Sequence, residues 1–231
     1  MSRGLTTEEK ILIKQINQLC ELHKYEDAEE IFEKFVEQNP DNIEMLLRFG
    51  FFEYYALHDD LKAIEYLKKI LKLDPNNLDA LIILSDMIIA RFDDELHLLN
   101  RLCSVEVKNP EYASMIEYCK SLFYKDKNDD EIYKKALKTS IELWPYHVYN
   151  YLDLSRFYKY KNNLKQAKDL IKKSLENVKL IYPEIHDIDY TDYQEYFNEL
   201  IKGVHLPRWI YESYIEELND LTSRTEKEDE N

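Results

Sequence analysis

The sequence contains the turns Asn39-Pro40-Asp41, Asp74-Pro75-Asn76, Asn109-Pro110-Glu111 and Trp144-Pro145-Tyr146, whose prolines lie 35 residues apart. Four of the six prolines in the 231-residue chain keep this one period. Proline cannot continue a helix, and a neighbouring Asn or Asp favours a tight turn. The chain is therefore predicted to consist of repeated units separated by turns at these prolines.

Two helical patterns lie between each pair of prolines. Apolar residues recur at i, i+3, i+4 and i+7 on either side of a polar break, which predicts two amphipathic helices per unit. The second unit shows this pattern in Leu46, Phe49, Gly50, the break His58-Asp59-Asp60, Ala63, Leu67 and Ile70. Each unit is therefore predicted to be a helical hairpin, and a small residue such as Gly50 lets its two helices approach closely.

This pattern resembles the tetratricopeptide repeat family. The fifth unit carries the family's residues best, in Tyr151, Leu154, Ser155, Tyr158, Ala167, Ile171 and Ser174. The first unit matches in Leu12, Leu19, Ala28, Phe32 and Pro40, whereas Leu98 and Tyr133 stand where the family prefers Ala. The resemblance implies an all-α fold, a right-handed α-solenoid of about five hairpins. The period, one residue longer than the family's usual one, predicts an extra residue in the intra-hairpin turn of units two to four.

The predicted organisation is a repeat array over residues 1–180, with C-terminal capping helices over 181–222. The five hairpins span about 8–41, 42–76, 77–111, 112–146 and 147–180. A repeat array needs a cap that covers its last apolar face. The expected cap residues are Tyr190, Tyr193, Phe197, Leu200, Trp209, Ile210 and Tyr214. Residues 223–231 form a short charged tail that is expected to be disordered.

Composition supports a helical protein. Only 3 of the residues are glycine, too few for the hairpins of a β protein of this size, and 45% are hydrophobic, enough for a continuous core. The apolar runs are interrupted by polar residues and are far shorter than the ~20 residues of a membrane span. The first ten residues lack the pattern of a secretory signal, so a cytoplasmic location and no membrane partner are expected.

The charge is strongly acidic and unevenly distributed. The formal net charge is −15, with net −9 over residues 1–110, +4 over 111–180 and −10 over 181–231. Binding to phosphate backbones requires clustered cations, so no nucleic-acid partner is expected. The lysines between Lys120 and Lys173 are interpreted as the solvent-facing sides of helices, and an acidic partner at that stretch is the alternative.

The usual signatures of catalysis and metal binding are missing from the sequence. The 3 glycines cannot form a phosphate-binding loop. None of the 6 histidines is paired at the spacing of metal ligands, and Cys20, Cys103 and Cys119 are interpreted as reduced core thiols. His97 with Cys103, or His186 with Asp187 and Asp189, matches no known motif. The chain is therefore predicted to be no enzyme and to hold no cofactor or metal.

The resemblance also implies a binding surface, because the first helices of this family line a concave groove. The equivalent residues here are Asn17, Glu44, Leu47, Phe51, Tyr54, Tyr55, Asp79, Ile82, Asp86, Glu117, Tyr124, Tyr149, Arg156, Lys159 and Tyr160. The first three units combine acids with aromatic residues, and the last unit places Arg156 and Lys159 among tyrosines. Acids beside rings suit a peptide that carries cationic and apolar side chains.

The function predicted from these features is a non-catalytic scaffold or adaptor that binds a protein or peptide with a basic segment. The alternative is an immunity protein or secretion chaperone that neutralises a basic toxin or effector, because negative charge speeds association with a cationic partner. The sequence carries no signal for a particular oligomeric state.

Overall fold

The computed structural model describes residues 4–88, 95–181 and 208–229 of the chain. Every regular element in this part of the chain is an α-helix, which confirms the predicted all-α fold. The helices, in chain order, are α1 (Thr7–Glu21), α2 (Tyr25–Gln38), α3 (Ile43–Tyr55), α4 (Asp60–Leu73), α5 (Leu78–Ile88), α6 (Glu95–Ser104), α7 (Pro110–Asp126), α8 (Asp130–Leu143), α9 (Val148–Tyr160), α10 (Leu164–Ile181) and α11 (Arg208–Asp229).

The described helices belong to two compact units. Helices α1 to α5 form the first unit, and helices α6 to α11 belong to the second unit. Hairpins are formed by α1 with α2 and by α3 with α4 in the first unit, and by α7 with α8 and α9 with α10 in the second. The unit boundary after residue 94 falls within the predicted third hairpin, 77–111.

One backbone conformation recurs in the turn inside each of these four hairpins. The residue before the N-cap of the second helix has a φ of 55° to 57°, and it is His23, His58, Asn128 or Asn162. In three of the turns the following amide N–H donates to a carbonyl five residues earlier, as Asn163 does to Tyr158 at 2.8 Å. This bond provides a donor for a carbonyl group at the C-terminal end of the first helix, as in helices that end at a glycine with positive φ. In this chain a His or an Asn adopts the positive φ instead of a glycine.

The extra residue of the 35-residue period is accommodated differently in different hairpins. The α3–α4 connection has four residues, 56–59, and the other three connections have three residues each. The prediction is therefore correct for the second hairpin and wrong for the fourth, where α7 is longer by one residue at its C-terminal end. The corresponding turn of the third hairpin lies outside the described residues.

Pro40, Pro75 and Pro145 lie in equivalent two-residue turns between successive hairpins, whereas Pro110 is the first residue of α7. The side-chain oxygen of Asn109 accepts hydrogen bonds from the N–H groups of Glu111 at 2.8 Å and Tyr112 at 3.1 Å. Proline suits the first helical position because its φ is already helical and it needs no hydrogen-bond acceptor there.

The first unit has an aromatic core. The rings of Phe32 and Phe49 are stacked with centroids 4.9 Å apart, and Phe49 lies 4.5 Å from the ring of Tyr66. A Cβ added at Gly50 would lie in van der Waals contact with α4, 3.5 Å from Tyr66 Cβ and 3.6 Å from the carbonyl oxygen of Ala63, so a side chain longer than that of alanine would have little room. The expected close approach of the two helices at Gly50 is therefore present in α3 and α4.

Helix α11 completes the core of the second unit. Its residues Tyr214 and Leu221 are buried in one cluster with Val148, Leu152, Leu164, Ala167, Ile171 and Leu175. The Tyr214 hydroxyl also donates to the carbonyl oxygen of Val148 at 3.3 Å. Helix α11 thus covers the apolar face of the α9–α10 hairpin, as a cap does. Among the other expected cap residues, Tyr190, Tyr193, Phe197 and Leu200 lie outside the described residues, as do the side chains of Trp209 and Ile210.

The prediction that residues 223–231 are disordered is wrong for most of this segment, because α11 continues to Asp229. The last turns of α11 have stabilising contacts. Lys168 Nζ lies 3.2 Å from Thr225 Oγ1, and Arg224 pairs with Asp220 one turn earlier at 3.7 Å. In the part of the chain that the structure describes, no helix combines the length and apolar character needed to cross a membrane.

Candidate protein-interaction surfaces

The predicted binding residues fall into three sets, one in the first unit and two in the second. We call Asn17 on α1, with Glu44, Leu47, Phe51, Tyr54 and Tyr55 on α3 and Asp79, Ile82 and Asp86 on α5, the acidic strip. We call Tyr149, Arg156, Lys159 and Tyr160 on α9 the basic strip. Glu117 and Tyr124 lie on α7 of the second unit.

The apolar residues of the acidic strip are less accessible than its two tyrosines. Leu47, Phe51 and Ile82 are buried, so their side chains contribute to packing and offer little area to a partner. The ring of Tyr55 is stacked on Phe51 with centroids 5.2 Å apart and is 38% exposed. Tyr54 is partly exposed beside it. The accessible rings of this strip are therefore the two tyrosines at the C-terminal end of α3.

Two acids of this strip, Glu44 and Asp79, are in the first turns of their helices. Glu44 and Asp79 each lie four residues after the proline of their unit, and both are partly exposed. Arg48 Nε donates to Glu44 Oε1 at 3.2 Å, one helical turn away, so this carboxylate has a cation on its own helix. Asn17 is partly exposed, and the side chain of Asp86 is outside the described part of the chain.

The basic strip is in contact with the chain's own C-terminal helix. Glu217 of α11 lies 3.7 Å from Arg156 and 3.5 Å from Lys159, and Asp220 lies 3.1 Å from Lys159. The hydrogen bond from Lys159 lowers the pKa of Asp220 below its ordinary value. The cations that the sequence assigned to a partner are therefore paired with α11 in this structure. Tyr160, at the end of α9, is 82% exposed.

The two predicted binding residues on α7, Glu117 and Tyr124, have contacts with other side chains of the second unit. Lys120 Nζ donates to Glu117 Oε1 at 2.7 Å, within one turn of the helix. Tyr124 is partly exposed, and burial, with Cys103 beside it, raises the pKa of its hydroxyl. Tyr124 packs against the buried cluster of Tyr133, Leu137 and Leu154, against which Phe157 and Tyr158 of α9 also pack.

A buried carboxylate on α3 was missed by the sequence analysis. Glu53 is almost fully buried, and Lys62 Nζ of α4 lies 2.8 Å from its Oε1. Lys62 also pairs with Glu33 at 2.8 Å and with Glu29, both on α2. Burial raises the pKa of Glu53 above its ordinary value. Burial acts to lower the pKa of Lys62, but hydrogen bonding to the three carboxylates outweighs it, and the pKa of Lys62 is raised. The sequence feature that could have indicated this burial is that Glu53 follows two apolar residues, Phe51 and Phe52, in the first helix of its hairpin.

A buried polar network in the second unit was also missed. Asn150 Nδ2 lies 2.8 Å from His147 Nδ1 and 2.6 Å from Ser140 Oγ, which is 2.9 Å from Ser114 Oγ. Burial lowers the pKa of His147 to about 3, so its ring is neutral at pH 7. The signal was Asn150 itself, because the equivalent positions of units two to four are Met45, Ala80 and Met115.

In the described residues, no group of three or more His, Cys, Asp or Glu side chains has an arrangement that could hold a metal ion. His97, which was considered together with Cys103 as a possible catalytic or metal-binding pair, has its Nε2 3.2 Å from Arg101 Nε. Cys20 is partly exposed, Cys103 is exposed and Cys119 is buried, so only Cys119 is fully in the core where all three were expected. His186, Asp187 and Asp189 are outside the described residues.

Residues 52–77, from the end of α3 to the turn before α5, match the tetratricopeptide repeat family. No curated protein sequence matches the chain. The sequence resemblance named above rested on residues throughout 8–180, and the family match lies within that range.

Solved structures with a similar fold span most of the chain. A thermophilic TPR protein of Thermus thermophilus is 19% identical, with a TM-score of 0.56 over 84% of this chain and 97% of its own. MamA from Desulfovibrio magneticus RS-1 is 20% identical, with a TM-score of 0.58 over 75% of this chain and 97% of its own. PilW, a type IV pilus biogenesis factor, is 15% identical, with a TM-score of 0.61 over 94% of this chain and 100% of its own. The predicted resemblance is thus confirmed, and the chain has the helical-hairpin fold of the tetratricopeptide repeat family.

Proposed function

We propose that this chain is a non-catalytic interaction scaffold that binds a protein or peptide with a basic segment through the acidic strip. The observation that carries the proposal is the repetition of a partly exposed acid at equivalent positions of α3 and α5, in Glu44 and Asp79. On α3 the same strip ends in the accessible rings of Tyr54 and Tyr55. Lysine and arginine side chains bind both carboxylates and aromatic faces.

The charge of the surrounding sequence favours the same class of partner. Residues 1–110 carry 22 acids and 13 bases, so the acidic strip lies in a segment of net charge −9. A field of this sign attracts a cationic segment and raises its association rate, most strongly at low ionic strength. It disfavours nucleic acid as a partner, because phosphates would be repelled.

The basic strip is the less favourable site for a partner. Arg156 and Lys159 already pair with Glu217 and Asp220, and a partner would have to displace these contacts or bind beside them. Any gain from new ion pairs would be offset by the loss of existing ones. Glu44 also has a cation within the chain, Arg48, so the preference for α3 and α5 over α9 rests on the net charge of −9 around the acidic strip.

A neutralising function remains the second candidate, and the net charge of −15 is the observation that favours it. Such a protein would hold a basic toxin or effector in an inactive complex through the same acidic strip. The two functions differ in the identity of the partner and in whether binding abolishes the partner's activity. We place either function in the cytoplasm, in keeping with the sequence analysis.

The proposal is tested by capturing the partner from the source cells with the tagged chain and measuring the kinetics of the purified complex. Glu44→Gln with Asp79→Asn is expected to slow association about tenfold at low salt and to flatten its salt dependence. Tyr54→Ala with Tyr55→Ala is expected to raise the dissociation rate, with a loss of about 2 kcal/mol. These tyrosines are preferred to Phe51, which is buried.

The matched control is Arg156→Gln with Lys159→Gln, which removes two charges from the basic strip and should leave binding unchanged. Thermal melts of all variants show whether the fold is intact. Unchanged binding by both acidic-strip variants, or a loss confined to the Arg156 and Lys159 variant, would refute the proposal. Loss of a captured toxin's activity on binding would establish the neutralising function.

A further inference from the structure

One face of α1 is exposed, although the positions equivalent to its residues Ile11 and Gln15 are buried in the other first helices. Ile11, Gln15 and Gln18 of α1 and Leu22 at its C-cap follow the spacing i, i+4, i+7 and i+11, which places them on one helical face. Ile11 is 64% exposed and Leu22 is 65% exposed, and the two glutamines between them are at least partly exposed as well. Two large apolar side chains thus face solvent from a helix of the first unit.

The repeat shows what this face does elsewhere in the chain. The residues equivalent to Ile11 are Met45, Ala80, Met115 and Asn150, and those equivalent to Gln15 are Phe49, Leu84, Cys119 and Leu154. All eight are buried. In repeat proteins each unit is stabilised by its interface with its neighbours. The face of α1 is therefore built at positions that pack against protein, and it is left uncovered here.

The sequence of this face is complementary to itself when a second copy runs in the opposite direction. A twofold axis between Gln15 and Gln18 places Ile11 of one copy opposite Leu22 of the other, because both pairs are centred on the same point of the helix. The glutamines then meet each other, and amide side chains can donate and accept hydrogen bonds at once. Such reciprocal pairing is what an isologous dimer requires.

The charges beside this face have the same symmetry. Lys14 and Glu21 are both exposed and lie seven residues apart, on one flank of the stripe. In an antiparallel pair like flanks meet, so Lys14 of each copy faces Glu21 of the other, with an axial offset of about two residues or ~3 Å. A parallel arrangement would instead bring opposite flanks together, so Lys14 and Glu21, which share one flank, would not face each other.

We propose that the chain forms a twofold homodimer through the face of α1 that comprises Ile11, Gln15, Gln18 and Leu22, with reciprocal Lys14–Glu21 ion pairs. One face of one helix buries less area than the ~1,200 Å² typical of stable complexes. The dimer is therefore weak, and its population depends on protein concentration. It leaves the acidic strip of each copy to bind a partner.

The experiment is sedimentation velocity of the full chain from about 1 µM to about 200 µM, the range in which a small interface associates. The expected result is a rise from the 27.9 kDa monomer towards twice that mass. Ile11→Asp, whose side chain is exposed and whose melt should match the parent, is expected to remain monomeric. A parent chain that stays monomeric throughout, or a dimer that Ile11→Asp leaves intact, overturns the proposal.

A charge exchange tests the antiparallel pairing itself. Lys14→Glu and Glu21→Lys are each expected to weaken homodimerisation about tenfold, because every pair becomes repulsive. A mixture of the two variants restores opposite charges in both pairs, so it should form a heterodimer as tightly as the parent. Failure of the mixture to associate would rule out the proposed pairing, even if the parent dimerises.

Discussion

The α3 helix of the first unit and the α9 helix of the second occupy the same place in their repeats but use charge differently. On α9, Arg156 and Lys159 pair with the acids of α11. On α3, Glu53 is drawn into the core by Lys62, and Glu44 and the two tyrosines stay at the surface. Equivalent repeat positions thus predict a common backbone. They do not predict which charges are neutralised within the chain.

Among the changes that separate the two units, removal of α11 is expected to have the largest effect on stability. Removing residues 188–231 would uncover the apolar cluster around Val148 and Ile171, so aggregation or loss of cooperative melting of the second unit is expected. Calorimetry and light scattering measure both. A shorter truncation, of residues 226–231, keeps Tyr214 and Leu221 and should melt like the parent. A stable, monodisperse protein without α11 would show that this helix is only an appendage.

In the first unit, the ion pairs of Lys62 with Glu29, Glu33 and Glu53 are expected to make the largest electrostatic contribution to stability. Lys62→Met would leave Glu53 buried without its cation, which costs about 3 kcal/mol in the free energy of unfolding. The loss should shrink as the pH falls towards the ordinary pKa of Glu, because protonated Glu53 needs no cation. Urea denaturation at pH 7 and pH 5 measures this.

The control for this prediction is Lys72→Met, which changes an exposed lysine on the same helix and should alter stability by less than about 0.5 kcal/mol. If Lys62→Met and Lys72→Met have equal effects, the buried pair does not stabilise α3 against α4. Glu53→Gln combined with Lys62→Met should recover part of the loss.

The buried His147 should make the second unit sensitive to acid. Its pKa of about 3 in the folded state is below the unfolded value of 6.5, so its contribution is fully present above pH 6.5 and is lost as the pH falls towards 3. Between pH 8 and pH 5 the expected loss is about 2 kcal/mol. The Asn150 amide lies 2.8 Å from Nδ1 of the ring, the rings of Tyr118 and Tyr149 pack against it, and the Tyr118 hydroxyl donates to Asp153.

The measurement is the difference in unfolding free energy between the parent and His147→Gln across this pH range. Because Asp153 and the other acids titrate in both proteins, their contributions cancel and the slope of His147 remains. Parallel pH profiles of the two proteins would show that the histidine is not buried as a neutral ring.

The surface pairs of the basic strip should have the smallest effect on stability. Arg156→Gln and Lys159→Gln are each expected to cost at most about 1 kcal/mol, because their ion pairs with α11 are partly exposed to water. Added salt should reduce the difference from the parent. A loss of several kcal/mol that persists at high salt would mean that these pairs, and not the apolar cluster, hold α11 in place.

The sequence predicted those features that depend on short segments of chain. The proline turns, the hairpins and the close approach at Gly50 all follow from local patterns of period 3.6 and from turn residues. The pairing of Lys159 with Asp220 could not be predicted, because it joins residues that are far apart in the chain. The burial of Phe51 and Ile82 was missed for the same reason, since a position on a helix does not reveal what packs over it.

The most direct test of the proposed binding surface is hydrogen exchange of the chain with and without its captured partner. Slower exchange is expected in α3, residues 43–55, and α5, residues 78–88, with no change in α9, residues 148–160. The Glu44→Gln and Asp79→Asn variant should lose this protection at moderate salt. Protection confined to α9 or to the stretch from Lys120 to Lys173, with α3 and α5 unchanged, would contradict the account and point to an acidic partner.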